Sequence, residues 1–244
     1  MENLHRIKEF FEEEGFAVIE GVYTHDEIAL LIDIISRTNS CDQVFRKSSD
    51  LFAIRQFFKV VPESIDIIFN DRLRLIVSEV LGDSYFVVKS IYFDKPRNSN
   101  WLVPYHQDLT ISVDKRIETE GFGPWSVKQN QFAVQPPVEI LEDNITIRIH
   151  LDDTTEQNGA LKVFPKSHKG GVVRKSIEID KAKETEHSCC VPSGGLMLMK
   201  PLLMHSSSKT INNKPRRVIH IEFSRCKLPA GLSWSEHFEY KTCH

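Results

Sequence analysis

One stretch limits the fold more than any other. Asn144-Ile145-Thr146-Ile147-Arg148-Ile149-His150-Leu151 alternates polar and apolar residues throughout. Successive side chains of a strand point to opposite faces, so this run reads as a half-buried strand, isoleucines on one face and Thr146, Arg148 and His150 on the other. It does not stand alone. Residues 85–88 and 91–93 are β-rich, residues 160–164 follow the turn signal Asn158-Gly159, residues 194–199 follow a Pro-Ser turn, and residues 217–223 close the series. Many short strands separated by turn chemistry predict an antiparallel double-sheet jelly roll with helices packed outside.

The chain before Gly82 has a different period. Leu4, Ile7 and Phe11 recur at helical spacing until Gly15 stops them. Thr24-His25-Asp26-Glu27 has the form of a capping box, and Ile28, Leu31, Ile32 and Ile35 give the helix behind it one apolar stripe. Residues 38–50 are polar and read as a loop. Asn70-Asp71 caps a further helix that Gly82 ends. The expectation is a mainly β protein with peripheral helices and a helical N-terminal third. It is one domain over residues 1–244: a helical lead (1–82), a jelly-roll core (83–226), and a long connection with interleaved aromatics (109–143) that predicts a lid.

Bulk properties exclude several function classes. The 244 residues carry a formal charge of -3, 41% are hydrophobic and 27% charged. No basic surplus draws the chain to nucleic acid or to an anionic membrane. No apolar run spans a bilayer and the start lacks the pattern of a signal peptide, so a cytosolic protein is expected. The five cysteines show no CxxC spacing and read as reduced thiols.

The chemistry gathers at Tyr105-His106-Gln107-Asp108 and at Leu203-Met204-His205-Ser206-Ser207. On a strand, His106 and Asp108 share a face, and one distant histidine completes two imidazoles and a carboxylate. That donor set suits non-haem Fe(II) and leaves positions open for substrate and oxygen. A hydrolytic zinc site uses the same donors. His150 and His220 lie on strands facing the interior and read as core or supporting groups, and His168 reads as structural.

Three segments taken together are more specific: His106-Gln107-Asp108; Gln157-Asn158-Gly159-Ala160-Leu161 leading to Phe164-Pro165-Lys166-Ser167-His168-Lys169-Gly170; and Pro201-Leu202-Leu203-Met204-His205-Ser206-Ser207 followed by Pro215-Arg216-Arg217. In order and spacing they resemble the phytanoyl-CoA dioxygenase family of Fe(II)- and 2-oxoglutarate-dependent oxygenases, as does the opening Glu14-Gly15-Phe16-Ala17-Val18-Ile19. Lys166 departs from the glycine that many members carry there. The resemblance implies a cupin-like double-stranded β-helix. It implies iron ligation by His106, Asp108 and His205, and binding of the distal 2-oxoglutarate carboxylate by Arg216, with Ser207 adding a hydroxyl. A guanidinium presents two parallel N–H donors to a carboxylate, which lysine cannot copy. Arg217 is the rival, and alternation admits only one of the pair to the site. Arg148 and Arg55 are further candidates, for 2-oxoglutarate or for an anionic group of the substrate, and Lys89 is a weaker one.

The implied reaction consumes O2 and 2-oxoglutarate, releases succinate and CO2, and hydroxylates an unactivated C–H bond of a small molecule, carboxylate-bearing such as an amino acid or a secondary metabolite. The carboxylate of Asp108 implies hydroxylation and not halogenation, since related halogenases carry a small residue there. Two alternatives keep the fold, an acyl-CoA hydroxylase and a cupin-like metal enzyme that does not use 2-oxoglutarate. A binding module with a vestigial site would lack a ligand type, and all three are present.

Overall fold

The computed structural model describes residues 2–38, 45–47, 52–97, 101–128, 131–173, 185–229 and 231–240. Fourteen strands are built from them: β1 (Phe16–Ile19), β2 (Phe45–Lys47), β3 (Phe52–Arg55), β4 (Phe86–Lys95), β5 (Val103–His106), β6 (Ile111–Val113), β7 (Trp125–Lys128), β8 (Gln131–Val134), β9 (Ile145–His150), β10 (Leu161–Val163), β11 (His187–Cys189), β12 (Leu196–Met199), β13 (His205–Ser207) and β14 (Arg216–Ser224). They form a seven-stranded sheet in the order β1-β12-β9-β14-β4-β3-β2, a four-stranded sheet β11-β10-β13-β5, and a three-stranded sheet β6-β8-β7. The protein is mostly β, and every strand pairing is antiparallel.

Helices cover the outer face of the large sheet. α1 (Glu2–Glu14) and α2 (His25–Arg37) are followed by three short ones, α3 (Phe57–Val60), α4 (Ile65–Ile68) and α5 (Asp71–Ile76), the last running into a π-helical turn that Gly82 ends. α2 begins as its sequence predicts. The Thr24 hydroxyl accepts from Glu27 N at 3.2 Å, and the Glu27 carboxylate accepts from Thr24 N at 2.7 Å. Ile145, Ile147 and Ile149 of β9 and Ile219, Ile221 and Phe223 of β14 pack with Phe11, Leu31, Phe57 and Phe69 in one buried cluster. Each fully buried side chain of this kind contributes about 1.5–3 kcal/mol relative to exposure. The first third is not simply a helical cover, because β1, β2 and β3 within it are strands of the large sheet. β2 also falls in the stretch expected as loop.

The alternation that buries isoleucine outward turns polar residues inward. Direct cross-strand partners share a face. The inward rows are Arg148 with His220 and Ile91, Glu222 with Lys89, and Arg216 with Lys95. Phe16 of β1 and Met197 and Met199 of β12 pack against Leu161 and Val163 of β10 and Cys189 of β11, joining the two larger sheets in an apolar cluster. The polar rows lie in the space between the sheets. Residues 111–143, expected as a loop, hold β6, β7, β8 and α6 (Val138–Asp143). Ile111, Val113, Val134 and Leu141 give them an apolar cluster with Leu202 and Trp234.

Two smaller readings are clarified. His168 packs against α1: its ring nitrogen takes the place a Cβ on Gly15 would fill, and Gly15 itself has φ +84°. Lys166 has φ +67°, a conformation that glycine adopts without steric cost. Its ammonium lies 3.0 Å from Glu13 and 3.4 Å from Glu14, contacts that glycine would lack. Cys189, Cys190 and Cys226 are free thiols, while Cys41 and Cys243 lie outside the described residues. Among the described residues no helix is long and apolar enough to cross a membrane.

Candidate metal centre and co-substrate pocket

β5 and β13 are antiparallel neighbours, and His106 and His205 are direct cross-strand partners with ring centroids 4.2 Å apart. Asp108 reaches the same place by another route than the sequence predicts. β5 ends at His106, so Asp108 is not carried by strand alternation. Its backbone N–H donates to Pro201 O at 2.9 Å, which ties it to the turn before β13. The Asp108 carboxylate lies 3.8 Å from His106 Nε2 and 3.8 Å from His205 Nε2, and the three donor atoms all fall within 4.8 Å of one another.

The tautomers follow from the neighbours. His106 Nδ1 is 2.9 Å from Pro104 O and His205 Nδ1 is 2.9 Å from Leu203 O. A carbonyl only accepts, so each Nδ1 carries the proton and each Nε2 turns a lone pair toward Asp108. Burial holds His205 below its ordinary pKa, in the neutral form a metal requires. Burial opposes the charge on Asp108, but its surroundings, the Lys89 ammonium among them, outweigh it and keep the carboxyl below its ordinary value. Two neutral imidazoles and a carboxylate are a fit donor set for a first-row divalent ion. His205 is buried while the His106 and Asp108 side chains are 39% and 32% exposed, so the centre opens on their side.

Gln107 holds the two ligand segments in register. Its buried amide donates to Leu202 O at 2.7 Å and to Gly171 O at 2.8 Å, and accepts from Val173 N at 2.8 Å. The sequence reading missed this role, and no signal in the sequence marks it.

The second cluster lies around Gly159. Arg216 is buried and its Nη1 donates to Gly159 O, which also accepts from Ser207 Oγ at 3.2 Å. Gly159 has φ +86°, and a Cβ there would meet Ser208 O at 2.6 Å and Lys95 Nζ at 2.8 Å, so only glycine leaves room for this convergence. Among the described residues Arg216 Nε has no hydrogen-bond partner, and neither do Arg148 Nε and His150 Nε2. Burial, then the nearby Arg148 charge, hold Arg216 below its ordinary pKa. A buried guanidinium with an unmet donor and no acid among its partners is suited to an anionic ligand. Arg217 points the other way, in an ion pair with Asp152 at 2.6 Å.

Arg148 lies between the two clusters, coupled electrostatically to Asp108 on one side and to Arg216 on the other. It donates from Nη1 to His220 Nδ1 at 3.1 Å. His220 Nε2 in turn donates to Glu222 at 3.0 Å, and Glu222 pairs with Lys89 at 2.6 Å. Arg55 is separated from Arg148 by two strands, β14 and β4, is paired in register with Ile91, and is close enough to Lys89 to act on its charge. The structure thus gathers His106, Asp108 and His205 at one end and Arg216 and Ser207 at the other, with Arg148 between and Arg55 to the side. His150 and His220 take no part in the donor triad.

Known proteins resemble this chain in family and in fold. The family model described as phytanoyl-CoA dioxygenase (PhyH) matches residues 11–218. The chain is 22% identical to a Caenorhabditis elegans phytanoyl-CoA dioxygenase domain-containing protein 1 homolog over 94% of this chain and 93% of that one. Among solved structures, it shares the fold of apo EctD from S. alaskensis (TM-score 0.68, 19% identity, 90% of this chain and 76% of that one). It also shares that of EvdO2 from Micromonospora carbonacea var. aurantiaca, solved with 2-oxoglutarate (TM-score 0.64, 20% identity, 90% and 89%). The non-haem α-ketoglutarate-dependent epimerase SnoN from nogalamycin biosynthesis is similar as well (TM-score 0.67, 14% identity, 91% and 83%). The chain belongs to the phytanoyl-CoA dioxygenase family and is a 2-oxoglutarate-dependent oxygenase.

Proposed function

We propose that this protein hydroxylates a C–H bond of a small carboxylate-bearing molecule, releasing succinate and CO2. His106, Asp108 and His205 hold the iron, which supplies the activation of O2 that no side chain can provide. Arg216 and Ser207 receive the distal carboxylate of 2-oxoglutarate, and Arg148 lies along its length. The observation that carries the reading is the placement of a buried, acid-free guanidinium at one end of the interior and two proton-fixed imidazoles with a carboxylate at the other.

The two larger sheets form a jelly roll, a double-stranded β-helix, within one domain spanning residues 1–244. Arg55, beside Lys89 on the inward side of the large sheet, supplies a cation for the carboxylate of the prime substrate. Residues 109–143 act as a lid. A cavity of about 430 Å3 between Gly121, Pro136 and Pro137 of this segment and Gly171 supports that role, since Gly171 is bonded to Gln107 inside the metal motif. The Asp108 carboxylate favours hydroxylation over halogenation.

Succinate release across a panel of small carboxylic acids, with Fe(II) and 2-oxoglutarate and with Asp108→Ala as the blank, tests the reading. Substrate-dependent succinate above the blank is expected. Activity toward uncharged compounds alone would overturn the substrate class, and no 2-oxoglutarate turnover with any compound would overturn the reaction.

A further inference from the structure

Among the described residues Lys95 is an unusual cation. It ends β4, is fully buried, and lies directly across the ladder from Arg216. Its ammonium donates to Ser208 O, and among the described residues it has no acidic partner. Asp94 beside it points to the other face of β4, where Arg217 and Asp152 act on it. Among the described residues, the charged and titratable groups around Lys95 are Arg216 on the adjacent strand, with Arg148 and His150 beyond it, none of them an acid. Two buried cations against each other are costly unless an anion joins them.

Resting on the proposed co-substrate pocket, we propose that Lys95 is a second cation for the distal carboxylate of 2-oxoglutarate, and that binding this carboxylate is coupled to uptake of a proton by Lys95. The same narrow space around Gly159 contains Arg216 Nη1, Ser207 Oγ and Lys95 Nζ. In the unliganded protein, burial first and Arg216 second push Lys95 down to about 7, so near pH 8 it is largely uncharged. A carboxylate beside it favours the ammonium. The proton comes from solvent, converting –NH2 to –NH3+, and no other bond changes.

Calorimetric titration of 2-oxoglutarate into iron-loaded protein under nitrogen, in two buffers of different ionisation enthalpy, measures the coupling. The wild type should take up about 0.9 proton at pH 8 and about 0.1 at pH 6, with affinity falling roughly tenfold from pH 6 to pH 8, following the free-state protonation. Lys95→Met should lose both the uptake and the pH dependence and bind more weakly at pH 6, with circular dichroism unchanged. Pyruvate keeps the 2-oxo acid head but lacks the distal carboxylate, and it should bind without the uptake. Tight wild-type binding without proton uptake, or equal uptake in Lys95→Met or with pyruvate, would overturn the role of Lys95 and leave the proposed function standing. Failure of the iron-loaded wild type to bind 2-oxoglutarate would overturn both.

Discussion

Replacing Arg216 with methionine separates binding from folding. The guanidinium is buried, its Nη1 is spent on Gly159 O, and its Nε has no partner. A carboxylate seated there would make charge-assisted bonds, and breaking such a buried pair costs about 3–5 kcal/mol. At 1.36 kcal/mol per tenfold, the Kd for 2-oxoglutarate should rise roughly 10²- to 10⁴-fold. The ligand-free protein should respond in the opposite direction. Methionine removes a buried charge that lacks an acid, and Gly159 O still accepts from Ser207, so the apoprotein should be at least as stable and by about 1 kcal/mol more so. The neighbouring substitution Arg217→Met is the control. It breaks a largely buried, bidentate pair with Asp152 and should cost about 1.5–3 kcal/mol of stability with no change in 2-oxoglutarate affinity. Calorimetric titration with urea melts reads both quantities. An Arg216→Met protein that binds 2-oxoglutarate as the wild type does, or that loses stability more than Arg217→Met, would refute the reasoning.

Further outcomes follow from the same geometry. Asp108→Ala should abolish stoichiometric iron binding, measured by metal analysis, and should remove the fall in Tm that a chelator causes in the iron-loaded wild type. Gln107→Leu leaves Leu202 O, Gly171 O and Val173 N without partners, which should cost about 2–4 kcal/mol in urea denaturation and weaken iron binding about tenfold or more. Gly159→Ala places a Cβ 2.6 Å from Ser208 O at φ +86°, and should destabilise the fold by about 2 kcal/mol or more while raising KM for 2-oxoglutarate. Thr24→Ala removes one half of the capping box of α2 and should lower stability by about 1 kcal/mol, about 2–4 °C in Tm, with succinate release unchanged.

Much of this was legible in the sequence because it is periodic or local. The alternation of residues 144–151 gives both faces of β9, and the same rule separates Arg216 from Arg217. The capping box of α2 is local hydrogen-bond chemistry written in four consecutive residues. What was misread depends on partners distant in the chain. Treating residues 85–88 and 91–93 as separate strands hid the continuous β4, whose alternation places Lys95 on the same face as Lys89. Asp108 was assigned to a strand that stops at His106, and a tie to Pro201 holds it instead. Residues 111–143 lack a strong pattern of their own, because their strands are stabilised by apolar contacts with Leu202 and Trp234 from elsewhere in the chain.

The sequence by itself determined the donor types and the faces. Imidazole, carboxylate and guanidinium are fixed by residue identity, and period-two alternation fixes which residues of β9 and β14 share the interior. Only the tertiary structure decided which groups meet. The pairing of β5 with β13 brings His106 to His205, and the β4–β14 register sets Lys95 against Arg216. Register between distant strands is set by turn lengths and by burial on the far face, and no stretch of either strand encodes it alone.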